Sequence, residues 1–472
     1  AGFFGRLNYN YKEKYLLEVN GRYDGTSRFM KDQRWNFFPS FSLGWNVARE
    51  NFWKPLESVV NQFKLRGSWG ELGNQNTSNL YPFYEILPVK SNSGNWLVNG
   101  GKTNTADIPS LVSTLLTWER VRSFNVGFDF GAFSNRLTGS FDYFVRKTVD
   151  MVGPAPQLPL VLGIAPAIVN NADMKSYGFE IELSWRDRIG EVDYGVKFNL
   201  ADAQQKVVKY PNTTNAFNDW YAGKMSGEIW GYTSLGIAKT DEEMKEHLAS
   251  LPNGGQNQLG NKWGAGDIMY ADINGDGKVD GGKGTLADPG DQRIIGNSTP
   301  RYNFGLVLDA SYKGFDVSIF FQGVGKRDYA PIVGTNGAVF WGAVNNIWQS
   351  MAMEEHFDYF RPEGHPMGAN LNGYYPRPDF TSNKNHQVQT RYLQDASYIR
   401  LKNLQIGYTL PKQWINKLHI NRCRVYVSGD NLWTGTSLAS MFDPETLAAG
   451  DWGSGKTYPL SKVISFGLNV NF

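Results

Sequence analysis

Seven stretches of strand length alternate apolar and polar side chains through their whole extent. The last is Ile464-Ser-Phe466-Gly-Leu468-Asn-Val470-Asn-Phe472, apolar at every second position and Ser, Gly or Asn between. The same period sets Phe124, Val126, Phe128 and Phe130 against Asn125, Gly127 and Asp129. It sets Phe179, Ile181, Leu183 and Trp185 against Glu180, Glu182 and Ser184. Stretches 137–143, 194–200, 304–310 and 317–321 repeat it. A period of two predicts strands with one apolar face. One such strand fits a soluble sandwich. A long series, with charges such as Glu180, Glu182 and Lys197 on the second face, predicts a sheet with lipid on one side and water on the other. In lipid the backbone groups must pair within a closed sheet, so the fold class expected is all-β, a transmembrane antiparallel β-barrel.

Weaker strands at 3–11, 14–24, 37–47, 60–71, 397–409 and 421–430 bring the expected number to thirteen. The connections then alternate without exception. Short ones lie at Lys12-Glu13, 131–135, Arg188-Ile189 and Lys313-Gly314, with 48–59 and 410–420 somewhat longer. Long ones lie at 25–36, 72–117, 148–174, 203–299, 325–396 and 431–461. Outer-membrane barrels alternate short periplasmic turns with long outer loops. Phe472 is therefore expected on the periplasmic side and residue 1 outside. Because bacterial single-chain barrels have even strand numbers, thirteen strands imply further barrel in another chain or elsewhere in a longer one.

Composition narrows the reading. The 472 residues include 24 Tyr, 29 Phe and 15 Trp, which suits aromatic girdles at two membrane interfaces. Mean hydropathy is −0.42 and no run approaches 18 apolar residues, so no helix is expected to cross a membrane. The 47 basic and 45 acidic residues nearly cancel, which gives nucleic acid no electrostatic argument. Cys423 is the single cysteine, so an internal disulfide framework is excluded; its phase with Val425 and Val427 predicts a small lipid-facing residue. The chain opens Ala1-Gly2-Phe3 with no basic-then-apolar leader. Its five histidines form no metal pair at helical spacing, no serine elbow precedes a helix, and no Gly-rich stretch ends in Lys-Ser/Thr. The chain is not expected to be an enzyme.

Two features remain for binding. Asp272-Ile-Asn274-Gly-Asp276-Gly277-Lys278-Val-Asp280 places oxygen ligands at alternate residues and Gly at the sharp turn, as in an EF-hand loop. Position twelve is Lys283, which cannot ligate. Side chains of Asp272, Asn274, Asp276 and Asp280 with the Lys278 carbonyl favour Ca²⁺, with Mg²⁺ the alternative; a turn made of turn-forming residues is the plainer account. Loop 203–299 is expected to lack a core, so an ion would offset part of its ordering entropy. The long loops also carry Trp220, Tyr221, Trp341 and Trp452, together with Trp96, Trp230, Trp263 and Trp348. Such rings stack on sugars or receive peptides, although packing between loops is their commoner use. Thr240 followed by Asp241-Glu-Glu-Met predicts a short capped helix inside loop 203–299.

Phe4-Gly-Arg-Leu-Asn-Tyr9, Arg22-Tyr-Asp-Gly-Thr-Ser-Arg-Phe29, Phe38-Pro-Ser-Phe-Ser-Leu-Gly-Trp45, Lys64-Leu-Arg-Gly-Ser-Trp-Gly70, Trp118-Glu-Arg120, Gly178-Phe-Glu-Ile-Glu182 and Asp395-Ala-Ser-Tyr-Ile-Arg-Leu-Lys-Asn403 occur in this order along the chain. They resemble the second half of a SusC/RagA-type TonB-dependent transporter. That resemblance implies that residues 1–472 form about thirteen C-terminal strands of a 22-stranded barrel whose plug lies outside this chain. It also implies an outer-membrane importer of oligosaccharides, or of peptides. Its partners would be a SusD-like surface lipoprotein, the N-terminal plug and remaining strands, TonB and outer-membrane lipid. A passive porin or adhesin barrel fits the strands but not these phrases. Family members often read Asp-Arg before Ile-Ile-Gly where the metal-like loop should close. Here Asp291-Gln-Arg-Ile-Ile-Gly296 carries that phrase, so 281–290 reads as an insertion and Asp291 as the sixth ligand residue of a calcium-like loop at 272–291.

Overall fold

The computed structural model describes residues 1–75, 77, 80–109, 111–153, 159, 161, 163–164, 166–331, 338–342, 353–379, 383–416, 419–447 and 457–472. All thirteen expected strands are present and are hydrogen-bonded in chain order in a 13-stranded sheet. They are β1 Gly2–Tyr11, β2 Tyr15–Gly25, β3 Trp35–Asn46, β4 Val60–Asn74, β5 Glu119–Ala132, β6 Leu137–Val152 and β7 Asn170–Ile189. Then follow β8 Val192–Lys209, β9 Arg301–Tyr312, β10 Phe315–Lys326, β11 Tyr398–Thr409, β12 Arg422–Thr436 and β13 Val463–Asn471. Registers run antiparallel, for example Tyr11 opposite Tyr15 and Val425 opposite Leu468. The structure divides into two compact units, Ala1–Ile181 with Ala203–Met225, and Glu182–Asp202 with Ser226–Phe472.

Phase decides what each face carries. In the first unit Phe41, Trp69, Phe124 and Tyr143 share one face and are exposed, while Ser40, Ser42, Arg66, Asn125 and Asp142 share the other. In the second unit Val425, Phe466 and Leu468 are exposed on one face; Phe466 retains 85% of its surface. An apolar sheet face left open on this scale requires an apolar solvent or a partner. Its counterpart is polar and cross-linked by ion pairs.

The short connections turn where the chain affords left-handed backbone. Lys12 and Glu13 in the three-residue β1–β2 connection have φ of 52° and 55°, and the two-residue Lys313-Gly314 turn has 44° and 90°, the left-handed sign that tight hairpin turns require. The third expected turn is displaced. Strand β7 continues through Arg188 to Ile189, and Gly190-Glu191 make the turn, because Gly190 takes φ 62° without a Cβ penalty. Cys423 also departs from expectation. It holds the lipid-facing phase but is buried, as is Ile415 of the short helix Lys412–Ile415 that contacts β12.

Candidate functional site

The polar face is organised by arginines that span neighbouring strands. Arg66 on β4 meets Asp129 on β5 through Nε at 3.1 Å and also reaches both oxygens of Asp142 on β6. In the second unit Arg424 forks onto Asp316, with Gln405 at 3.2 Å, and Arg301 forks onto Asp202. Fork geometry suits carboxylates and fixes each strand's neighbour at the level of side chains as well as backbone. The arrangement provides a charged wall in which Asp129, Asp142, Asp202 and Asp316 are paired with arginines.

The long loops of the second unit are not coreless. Tyr232, Ile268, Tyr270 and Val279 from 210–300, Phe340, Trp341, Tyr375 and Tyr392 from 327–397, and Leu438, Phe442 and Leu447 from 437–462 form one buried cluster. The expectation of a coreless 203–299 is therefore corrected. Two small ladders, Glu228–Gly231 with Arg293–Asn297 and Ser234–Ile237 with Ile268–Tyr270, supply the frame. Helix α1, Asp241–Ala249, forms as expected: Thr240 accepts from the Glu243 amide at 3.1 Å, and three acids occupy the first turn.

A buried ionic node closes this cluster. Fully buried Asp267 accepts from Arg377 at 2.8 and 2.7 Å, from Lys384 at 2.9 Å, from Asn385 at 2.9 Å and from the Gly264 amide at 2.9 Å. Lys384, 1% exposed, also donates to the Lys262 carbonyl and lies over the Trp263 ring at 5.1 Å. Every lone pair and ammonium proton needs a partner at such depth, and here they have them. Burial pushes the hydroxyls of Tyr270, Tyr375 and Tyr392 well above the usual phenol value; Tyr270 donates to the Lys384 carbonyl and Tyr392 to that of Tyr374. His386 lacks such satisfaction, as does the neighbouring Gln389 Oε1 among the described residues. His386 is 3% exposed, lies 4.6 Å from the Trp341 ring, and among the described residues neither ring nitrogen has a hydrogen-bond partner. Burial lowers it to about 4.

The aromatic candidates separate accordingly. Trp341 is 1% exposed and donates to the Pro331 carbonyl, so it is a core residue with no free face for a ligand. Trp220 and Tyr221 are half-buried in the first unit; Trp220 meets Tyr210 edge-on at 6.0 Å, and Lys224 lies over Tyr221 at 5.4 Å. Trp452 and Trp348 lie outside the described residues. The signal for the loop core was present as apolar Val339-Phe340-Trp341 and the Tyr374-Tyr375 pair, but only a three-dimensional contact joins them.

In the metal-like loop Asp291 does return across 281–290. Its carboxylate accepts from the amides of Ile273 at 2.8 Å and Asp280 at 2.8 Å, and burial raises its pKa. Asp272 accepts from the amides of Gly275 and Gly277, and Asp276 from that of Lys278. The Lys278 ammonium sits 2.6 Å from Asp280 and 3.9 Å from Asp276, and it holds Asp280 below the usual carboxylate value. The donor set is that of a hard cation, but the fit is partial. Among the described residues no three His, Cys, Asp or Glu side chains are placed to hold an ion, and the internal cation is an ammonium.

Comparison with known proteins follows the same architecture. The chain is 30% identical to TonB-dependent receptor P3 of Formosa agariphila over 99% of its own length and 45% of that protein's. It is 24% identical to TonB-dependent receptor SusC of Bacteroides thetaiotaomicron, over 100% of this chain and 44% of that one. The solved RagAB peptide transporter superposes with a TM-score of 0.75 at 23% identity, over 100% of this chain and 47% of that chain. The chain thus spans less than half the length of the proteins it matches. The model of TonB dependent receptor-like β-barrels matches residues 1–432, and the chain belongs to that family.

Proposed function

We propose that this chain is the C-terminal barrel portion of an outer-membrane importer that is energised by TonB through a plug contributed from outside residues 1–472. Oligosaccharides are the cargo under this reading, and a SusD-like lipoprotein covers the outer mouth. The carrying observation is the sheet's pair of faces: an exposed apolar face that water would not tolerate, backed by a polar face of paired arginines and acids, which supports a lining for hydrophilic cargo. The short turns then face the periplasm, with Phe472 on that side. A protein partner is supported by loop 75–118, where Trp96 and Leu97 keep 61% and 67% of their surface and Ile86, Val89, Ile108 and Leu115 are also exposed.

Deletion of the full-length gene, followed by growth on single glycans and single peptides, tests the cargo. Loss of growth on one glycan class supports the reading; loss on peptides alone replaces the cargo, and no loss on any substrate refutes import. The wall is tested by Ile181→Arg against Glu182→Arg. Arg on the apolar face should cost about 2–4 kcal/mol and abolish heat-modifiable mobility in outer membranes, and Arg on the polar face should cost far less. Equal behaviour would overturn the assignment of faces.

We also propose that the 272–291 loop takes Ca²⁺, which would displace the Lys278 ammonium from Asp280. Support comes from the return of Asp291 onto 273–280 across the insertion. Asp272, Asn274, Asp276, Asp280 and Asp291, with the Lys278 carbonyl, would hold it. Chelation and Asp276→Ala should both speed proteolysis of 203–299, while Asp288→Ala should not. Proteolysis indifferent to both calcium and chelator leaves the loop a hydrogen-bonded turn.

A further inference from the structure

Within the first unit, the apolar face carries an interruption by charge in which cations outnumber acids. On β5, Arg122 follows the phase of Phe124 and Val126, both exposed apolar residues. Directly opposite it on β6 stands Lys147, in phase with Val145 and exposed Tyr143. Two cations facing each other across an antiparallel pair repel and lower sheet stability. The other neighbour of Arg122 is Glu71 on β4, 3.5 Å away, but Glu71 also serves Arg120 at 3.4 Å. Arg120 is further occupied by Asn36. Arg122 keeps 45% of its side-chain surface, and Lys147 is exposed and makes no ion pair among the described residues. On β7, Lys175 occupies the phase of Tyr177, Phe179 and Ile181, its ammonium over the Tyr177 ring at 5.0 Å. Three cations in the apolar phase, Arg122, Lys147 and Lys175, thus stand against two acids, Glu71 beside Arg122 and Asp173 two residues before Lys175 in the same phase of β7. They lie at the long-loop ends of their strands, next to a band of Trp69, Phe124, Tyr143 and Val145.

A cationic row bordering a lipid-facing band is placed at head-group depth. Residues at the long-loop ends meet the outer leaflet, an assignment that rests on the topology proposed above. We infer that Arg122, Lys147 and Lys175 bind the phosphate groups of an outer-leaflet phosphoglycolipid. Arg122 offers a fork to phosphate oxygens, and the lysines act as point charges beside it. A shared phosphate also removes the Arg122–Lys147 repulsion, so the lipid would stabilise the β5–β6 ladder. The acyl chains would lie on the apolar band below. No soluble anion gains that second contact, which is why the occupant is a lipid and not free phosphate.

The test uses the full-length protein in dodecyl maltoside, probed with diphosphoryl lipid A, with dephosphorylated lipid A, and with inorganic phosphate. Retained lipid is counted by native mass spectrometry. The wild type should hold diphosphoryl lipid A about ten-fold or more tightly than the Arg122→Gln/Lys147→Gln/Lys175→Gln variant. Arg146→Gln, on the opposite face, should bind as wild type. Dephosphorylated lipid should bind both proteins equally and weakly. Should the triple variant not assemble by heat-modifiable mobility, Lys147→Gln alone is expected to give a partial loss. The inference falls if the variants bind diphosphoryl lipid A as wild type does, if dephosphorylated lipid binds equally well, or if inorganic phosphate displaces the lipid at matched concentration. Micelles have no sidedness, so these outcomes do not depend on the topology. Impermeant-maleimide labelling of Gly254→Cys and Gly190→Cys on intact cells tests the topology separately, and labelling at 190 but not at 254 would refute it alone.

Discussion

Loop 75–118 and the long loops of the second unit are both connections on the same ends of their strands, yet they are built differently. Among the described residues of 75–118 the regular structure is two ladders of two residues a side, Val89–Lys90 with Thr105–Ala106 and Leu97–Val98 with Gly101–Lys102; Leu116 and Trp118 at its end are buried against Phe29 and Phe38, but Ile86, Val89, Trp96, Leu97, Ile108 and Leu115 stand open. In 210–300, 327–397 and 437–462 comparable side chains are buried together, and an acid with two cations is sealed among them. Loop length does not explain the difference. A connection becomes rigid when other connections supply the far side of its apolar face, as Tyr392 and Phe442 do for Phe340. Where they do not, the apolar surface remains available to another molecule.

The largest effect expected from breaking this contrast is at its aromatic centre. Trp341→Ala should cost about 3–5 kcal/mol and expose 325–396 to protease, whereas Trp220→Ala, half-buried in the first unit, should cost about 1 kcal/mol or less. Similar losses for both would erase the distinction between a built loop core and ordinary loop packing. Asp267→Ala leaves Lys384 buried with no carboxylate within 3 Å. A loss of about 3–5 kcal/mol is expected, read as thermal melting and as accelerated cleavage of 203–299. Asp267→Asn keeps the shape and should recover little of it.

A smaller effect should depend on pH. His386 is lowered from an ordinary 6.5 to about 4 by burial, against Trp341, with Asp379 the nearby acid acting in the opposite direction. The opened state binds the proton more readily than the closed one, so stability rises with pH across the window between these values. Acidifying from 6.5 to 5.5 should cost about 1 kcal/mol, seen as faster proteolysis of 325–396, and His386→Gln should flatten the slope. A slope unchanged by that substitution would assign it to other groups. Least of all should Leu97→Asp disturb stability, by about 0.5 kcal/mol or less, while it abolishes co-purification of a lipoprotein partner. Unaltered co-purification would deny loop 75–118 that role.

The strands were legible because their signal is local. Leu137 to Tyr143 and Phe466 to Val470 announce their faces by a period of two, whatever lies elsewhere in the chain. Turn positions were less certain: Arg188-Ile189 and Gly190-Glu191 are separated only by which backbone tolerates positive φ. The loop core was illegible for the opposite reason. Nothing near Tyr270 states that its hydroxyl will meet the Lys384 carbonyl, and nothing near Trp341 distinguishes a buried indole from one presented to a sugar. Cys423 shows the same limit on a small scale, since phase reports the side of a sheet and not what comes to lie upon it.

The strictly sequential pairing of β1 to β13 has a kinetic consequence. Consecutive strands such as β1 and β2 or β9 and β10 close loops of a few residues, so each hairpin forms without waiting for distant chain. The Tyr270–Lys384 and Tyr270–Gln389 bonds join residues 114 and 119 apart and form only after the intervening β9–β10 hairpin has fixed both ends. Interactions absent from the rate-limiting step of assembly act on the reverse rate. The loop core should therefore leave the speed of barrel assembly unchanged and lengthen the lifetime of the assembled protein.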